Sequence, residues 1–192
     1  GFRFILKNTV ILLPLMTLLS GGGLFLSSSG AAKSLVCARI AYDFEAIPLA
    51  VKLVDQALPQ NTENAPLHYF KGLVLVEGQP RDFSPAEARS HLEKAVTLQP
   101  KVPLYLFRLS SAYDFEHRGE EAIKTAASAA ALLPEDAFLW QHLGDLNLKY
   151  RRFSEAVKAF KTSLKHNPEN AVVLNNLAYT LIETGEEFPL AL

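Results

Sequence analysis

The side chains that could carry chemistry are few and scattered. Cys37 is the single cysteine, which excludes an internal disulfide, a CxxC pair and zinc-finger spacing. A lipoprotein signal needs a small residue directly before its cysteine. Val36 is not small, so a buried or lipid-facing thiol is expected. The five histidines, His68, His91, His117, His142 and His166, show no HExxH or other ligand spacing. They read as helix-surface or helix-packing residues, with no metal and no cofactor expected. There is no GxSxG elbow, P-loop, dinucleotide fingerprint or Cys–His pairing, and the carboxylates are scattered. The reading is therefore a non-enzymatic protein with no small-molecule substrate. Formal net charge is −1 and the basic residues form no long run, so attraction to nucleic acid is not expected. The short patch Lys149-Tyr-Arg-Arg152 reads as a solvated turn.

What remains is recognition by shape, and the spacing of Pro100, Pro134 and Pro168 says which elements provide it. These prolines stand 34 residues apart and then 34 again. That period accommodates one helix–turn–helix unit with a proline closing its second helix. Apolar residues are 49% of the 192, enough for a packed core.

The clearest unit is 137–170. Trp140, Leu143 and Gly144 lie at i, i+3 and i+4, one stripe of a first helix in which Gly144 lets a neighbouring helix approach closely. Ala156 and Phe160 put a small residue beside a large one on the second helix. This pattern resembles the tetratricopeptide repeat. The tyrosine usual three residues after the glycine is Asn147 here, and Tyr150 and Phe153 are expected to supply the missing aromatic volume.

Unit 103–136 carries Leu106, Leu109, Ser110 and Tyr113 on its first helix, then Ala122, Ala126, Ala129 and Pro134. Unit 65–102 carries Gly72, Ala88, Leu92, Ala95 and Pro100, with about four extra residues in the turn 77–83. Ser84-Pro-Ala-Glu87 then reads as a capping box with proline at the first helical position. An incomplete unit, 171–192, holds Leu174, Leu177, Ala178 and Leu181. Residues 33–60 are a connecting helix or a degenerate repeat. The resemblance implies an all-α fold, a right-handed α-solenoid over 65–192 preceded by an N-terminal hydrophobic helix.

It also implies where a partner would lie. In this family the first helices line a concave face that holds partner peptides or helices. The matching positions are Tyr69 and Leu73, then Phe107, Ser111 and Asp114, then Phe138, Gln141 and Asp145, and finally Asn175 and Tyr179. Only Asn175 and Asn176 resemble the carboxylate-gripping set of chaperone-binding relatives, and no lysine accompanies them. An apolar peptide or amphipathic helix anchored on Phe107 and Phe138 is the expected occupant.

Residues 1–32 differ from the rest. Arg3 and Lys7 precede an apolar run at 9–19, and no acidic residue occurs before Asp43. Phe4 to Leu26 is long enough to span a membrane as a retained anchor. The shorter run with Ser29-Gly-Ala31 also suits a cleaved signal peptide. Both readings leave the basic end in the cytoplasm and the repeats across the membrane. The working expectation is a scaffold tethered through residues 4–26, its repeats extracytoplasmic, assembling or stabilising a larger envelope complex. The alternatives are a free exported adaptor, or the soluble tail of a polytopic membrane enzyme. Gly at position 1 and an apolar end at Leu190 and Leu192 add the expectation that the natural chain continues or that a partner covers that end.

Overall fold

A computed structural model describes residues 30–78 and 84–185. The proposed anchor at 4–26, most of the enlarged turn at 78–83, and Leu190 and Leu192 lie outside these residues. Among the described residues there are nine α-helices and no strand. They are α1 (Gly30–Asp43), α2 (Ile47–Ala57), α3 (Ala65–Gly78), α4 (Pro85–Leu98), α5 (Pro103–Phe115), α6 (Gly119–Leu132), α7 (Ala137–Lys149), α8 (Phe153–His166) and α9 (Ala171–Thr184). No described helix is long and apolar enough to cross a membrane. Two compact units divide the chain, residues 1–99 and 100–192.

Proline places the helix ends. Gln99, Leu133 and Asn167 each precede one of the spaced prolines, and all three leave helical geometry, at φ −139°, −132° and −141°. The proline ring clashes with a helical residue before it, so the helix must stop there. New helices start at Val102, Asp136 and Asn170, again one period apart. Asp136 and Asn170 accept hydrogen bonds from the next helix's first amides. Val102 cannot, and Pro103 removes one of the amides that would need an acceptor.

The turns inside the hairpins share one geometry. Glu45, His117 and Arg151 have φ of 60°, 58° and 58°. In each case that residue's amide donates to the carbonyl three residues back, and the next amide donates to the carbonyl five back. This double bond pattern satisfies the open carbonyls of the first helix and reverses the chain. Gly185, one period after Arg151, is also left-handed, at φ 71°. The turn at Glu45 makes residues 30–57 a two-helix hairpin, α1 folded against α2, rather than a single connecting helix.

In the first unit the core joins α1, α2 and α3. Ala38, Ala41 and Ala50 are fully buried with Val54, Leu67 and Val74, so small residues let these helices lie close. Tyr42 stacks edge-on against Phe70 with ring centroids 5.9 Å apart. Where α3 meets α4, a Cβ on Gly72 would stand 2.6 Å from Leu92, so only glycine fits. Ser84 caps α4 by accepting from the Glu87 amide. Glu87 carries its own carboxylate to Lys71 instead.

The second unit repeats the device. A Cβ on Gly144 would stand 2.5 Å from the ring of fully buried Phe160. Asn147 is buried and donates to the Leu143 carbonyl, while its side-chain oxygen has no partner. The Tyr150 ring covers Gly119 at the start of α6.

Two substitutions test these constraints. Gly144→Val should lower the unfolding free energy by about 1–3 kcal/mol, the usual range for overpacking a filled site. Arg151→Gly should raise it by about 0.5–1 kcal/mol, since relief of left-handed strain outweighs the added freedom of the unfolded glycine. Urea unfolding followed by circular dichroism checks both signs.

Candidate functional site

The 34-residue register aligns the first helices of the second unit position by position. Leu104 on α5, Phe138 on α7 and Val172 on α9 are equivalent, and they are 49%, 55% and 58% exposed. The next equivalent set is Phe107, Gln141 and Asn175, and the next is Ser111, Asp145 and Tyr179. All three sets lie beside the packing stripe that holds Leu106, Leu109, Leu143 and Leu177 in the interior. Residues that pack cannot also be offered to a partner, so the open face comprises these flanking positions.

Contacts between the helices make this face continuous within the unit. The Phe107 ring meets Phe138 edge-on at 5.1 Å and His142 at 4.7 Å. The Arg108 guanidinium lies 5.2 Å from the centre of the Phe107 ring. From α9, Asn176 donates to Asp145 at 2.9 Å, and Asn170, which caps that helix, donates to Gln141 at 2.9 Å. Burial raises the Asp145 pKa, opposed by hydrogen bonds from Asn176 and Gln141. The result is an apolar edge and aromatic centre, followed by amides and one carboxylate. Such a face can bind an apolar side chain and the backbone beside it.

Not every residue expected on this face belongs to it. Asp114 is engaged elsewhere, by Lys149 at 2.7 Å and by the Tyr150 hydroxyl at 2.9 Å. Arg152 likewise pairs with Glu120. The turn 149–152 is thus a joint between consecutive hairpins rather than a merely solvated loop. Burial and the Asp114 carboxylate push the Tyr150 hydroxyl up to about 12. Ser111 is half-buried and donates to the Phe107 carbonyl. Asn175 and Tyr179 are exposed, whereas Asn176 is held by Asp145.

Tyr69 and Leu73 lie on α3 in the first unit. Leu73 is only 5% exposed and packs in the α1–α2–α3 core, which corrects its assignment to an open face. Its helix is apolar almost all round, so the sequence pattern did not reveal which side was free. Tyr69 does reach an opening, an apolar pocket of ≈ 330 Å³ walled by Leu35, Val36 and Ile40 of α1 and by Pro66 and Phe70 of α3. Cys37 is buried beside this region, and burial raises its thiol pKa. The α1 wall carries no repeat signature and was not foreseen. Leu104 and Val172 were also missed, although counting 34 from Phe138 in each direction would have found them.

An array of helical hairpins with an exposed first-helix face defines the α-solenoid class. The sequence pattern of the tetratricopeptide repeat matches residues 159–188, across α8 and α9. The small glutamine-rich tetratricopeptide repeat-containing protein 2 of Mycosarcoma maydis is 28% identical over 85 residues, 44% of this chain. The match spans only 24% of that relative's length. Among solved structures, MamA superposes with a TM-score of 0.73 at 16% identity, covering 81% of this chain and 83% of MamA. YrrB, described as a tetratricopeptide-repeat protein with an unusual peptide-binding site, superposes at 0.71 with 18% identity, over 82% of this chain and 79% of YrrB. Residues 159–188 thus match the tetratricopeptide repeat, and the described hairpins share the fold of solved tetratricopeptide-repeat structures.

His142 gives the second unit a pH signature. Its Nε2 lies 2.7 Å from the fully buried Ser110 hydroxyl, whose own proton goes to the Phe107 carbonyl. The imidazole therefore carries a proton on Nε2. Burial, aided by Arg108 and opposed by Asp114, lowers its pKa from 6.5 to about 4. The unfolded chain takes up this proton at higher pH than the folded chain. Stability present above 6.5 is therefore lost as pH falls towards 4, by about 3 kcal/mol in total. In urea titrations between these pH values, His142→Phe should remove most of that acid slope. An unchanged slope would assign the loss to other groups.

Proposed function

We propose that the protein binds a partner protein through the first-helix face of its second unit, taking an apolar peptide or one side of an amphipathic helix. The observation that carries this reading is the register of Leu104, Phe138 and Val172, three large apolar side chains left about half exposed at one repeat position. A folded chain hides such groups when packing allows, and a row of them beside convergent amides suits a ligand with apolar anchors and free backbone groups. The apolar pocket beside Tyr69 offers the first unit a contact of similar chemistry.

We also propose that residues 4–26 tether this scaffold to a membrane with the repeats on the extracytoplasmic side, where it serves a larger envelope complex. The apolar length of that segment and its basic leading flank support the tether. Ala31 is buried in the first-unit core within the first turn of α1, so cleavage after it would remove packed residues. This favours retention over an exported, processed form.

Two experiments test the proposals. Phe107→Ala with Phe138→Ala should weaken a partner co-purified in mild detergent by at least about 30-fold, as loss of an anchor pair does. Unchanged affinity, with the helical circular dichroism signal intact, would sink the groove. Separately, the native protein should stay in the membrane pellet after carbonate extraction and retain residues 1–31 by intact mass. A mass lacking them would make it a processed, exported adaptor.

A further inference from the structure

His68 on α3 and His91 on α4 stand 23 positions apart in sequence, yet their Nδ1 atoms are 2.9 Å apart. The rings are tilted by 33° with centroids 5.2 Å apart, so the two nitrogens converge edge-on instead of stacking. The other nitrogen of His68, Nε2, lies 3.0 Å from the Thr62 carbonyl. A carbonyl only accepts, so Nε2 carries the proton and Nδ1 presents its lone pair towards His91. This is the second-shell arrangement of a metal-ligating histidine, with one nitrogen donating to a backbone carbonyl and the other free to bind.

The buried ammonium nearest the pair is offset by carboxylates. Buried Lys71 lies on the same helix as His68 and is held by Asp55 at 2.7 Å and Glu87 at 3.5 Å. Metal–nitrogen bonds of about 2.0–2.1 Å in a tetrahedral site separate two imidazole nitrogens by roughly 3.3 Å, a few tenths of an ångström more than observed. Small rotations of the two half-buried side chains supply that. Among the described residues no group of three or more His, Cys, Asp or Glu side chains could hold a metal, so water must complete the shell.

We propose that His68 and His91 form a two-imidazole site for a borderline divalent transition-metal ion, Zn²⁺ or Cu²⁺, that clamps α3 to α4. Imidazole suits these ions, and a hard cation such as Mg²⁺, which demands oxygen ligands, is excluded. His68 is the fourth residue of α3 and His91 the seventh of α4, so the clamp fastens the hairpin within its length.

The test uses the full chain without a histidine tag, stripped by chelator and dialysed at pH 7.5. Added Zn²⁺, at about tenfold excess over its Kd, should raise Tm by about 3–5 °C, while Mg²⁺ should not. Calorimetry should give one Zn²⁺ per chain. His68→Ala and His91→Ala should each weaken Zn²⁺ binding at least tenfold and abolish the shift. His68→Gln and His91→Gln, which keep a polar group in place, serve if the alanine variants unfold. No shift in the parent protein, or a shift retained in both single variants, would overturn the site and leave an ordinary hydrogen bond between two imidazoles.

Discussion

Helix-to-helix distance in this protein is set by where side chains are missing. Gly72 faces Leu92, and Gly144 faces Phe160, so close that an added methyl would overlap the opposite side chain. Where the pairing changes, the large partner changes with it: the positions equivalent to Gly144 and Phe160 hold Ser110 and Ala126. The hairpin then buries a hydroxyl, and that hydroxyl fixes the tautomer of His142 on the next hairpin. A substitution in a packing stripe is thus linked through one hydrogen bond to the aromatic group on the exposed face.

The same constraint decides which residues are left for recognition. Each first helix uses one stripe to meet its own second helix and its neighbours. Leu104, Phe138 and Val172 lie off that stripe at every repeat, so their exposure follows from geometry repeated along the chain. The polar residues beside them are partly used by each other, as Asn176 and Asn170 hold Asp145 and Gln141. Such mutual support keeps side chains pre-positioned, which reduces the ordering cost when a partner arrives.

Charge in the second unit serves mainly to join hairpins. Lys149, Tyr150 and Arg152 reach back to Asp114 and Glu120 of the preceding hairpin, and Tyr150 also fills the space above Gly119. These pairs are partly exposed, so each adds little energy by itself. Their effect is to fix orientation, because a hydroxyl and an ammonium converge on one carboxylate from adjacent positions.

Sequence alone determined the hairpin period, the helix ends and the packing stripes. Proline before a turn and a serine cap act through local backbone sterics, which need no tertiary knowledge. It also located Phe107, Phe138, Gln141 and Asp145 on a first-helix face. It did not reveal that Leu73 is buried, that Asp114 is paired, that α1 walls the pocket beside Tyr69, or that His68 meets His91. Each of these depends on a neighbour distant in sequence, 23 positions for His68 and His91 and 35 for Asp114 and Lys149, whose identity leaves no mark on local periodicity. Only the packed hairpins bring such pairs together, because side-chain partnership is settled by helix separation and register, and both arise once the small residues have let the helices close.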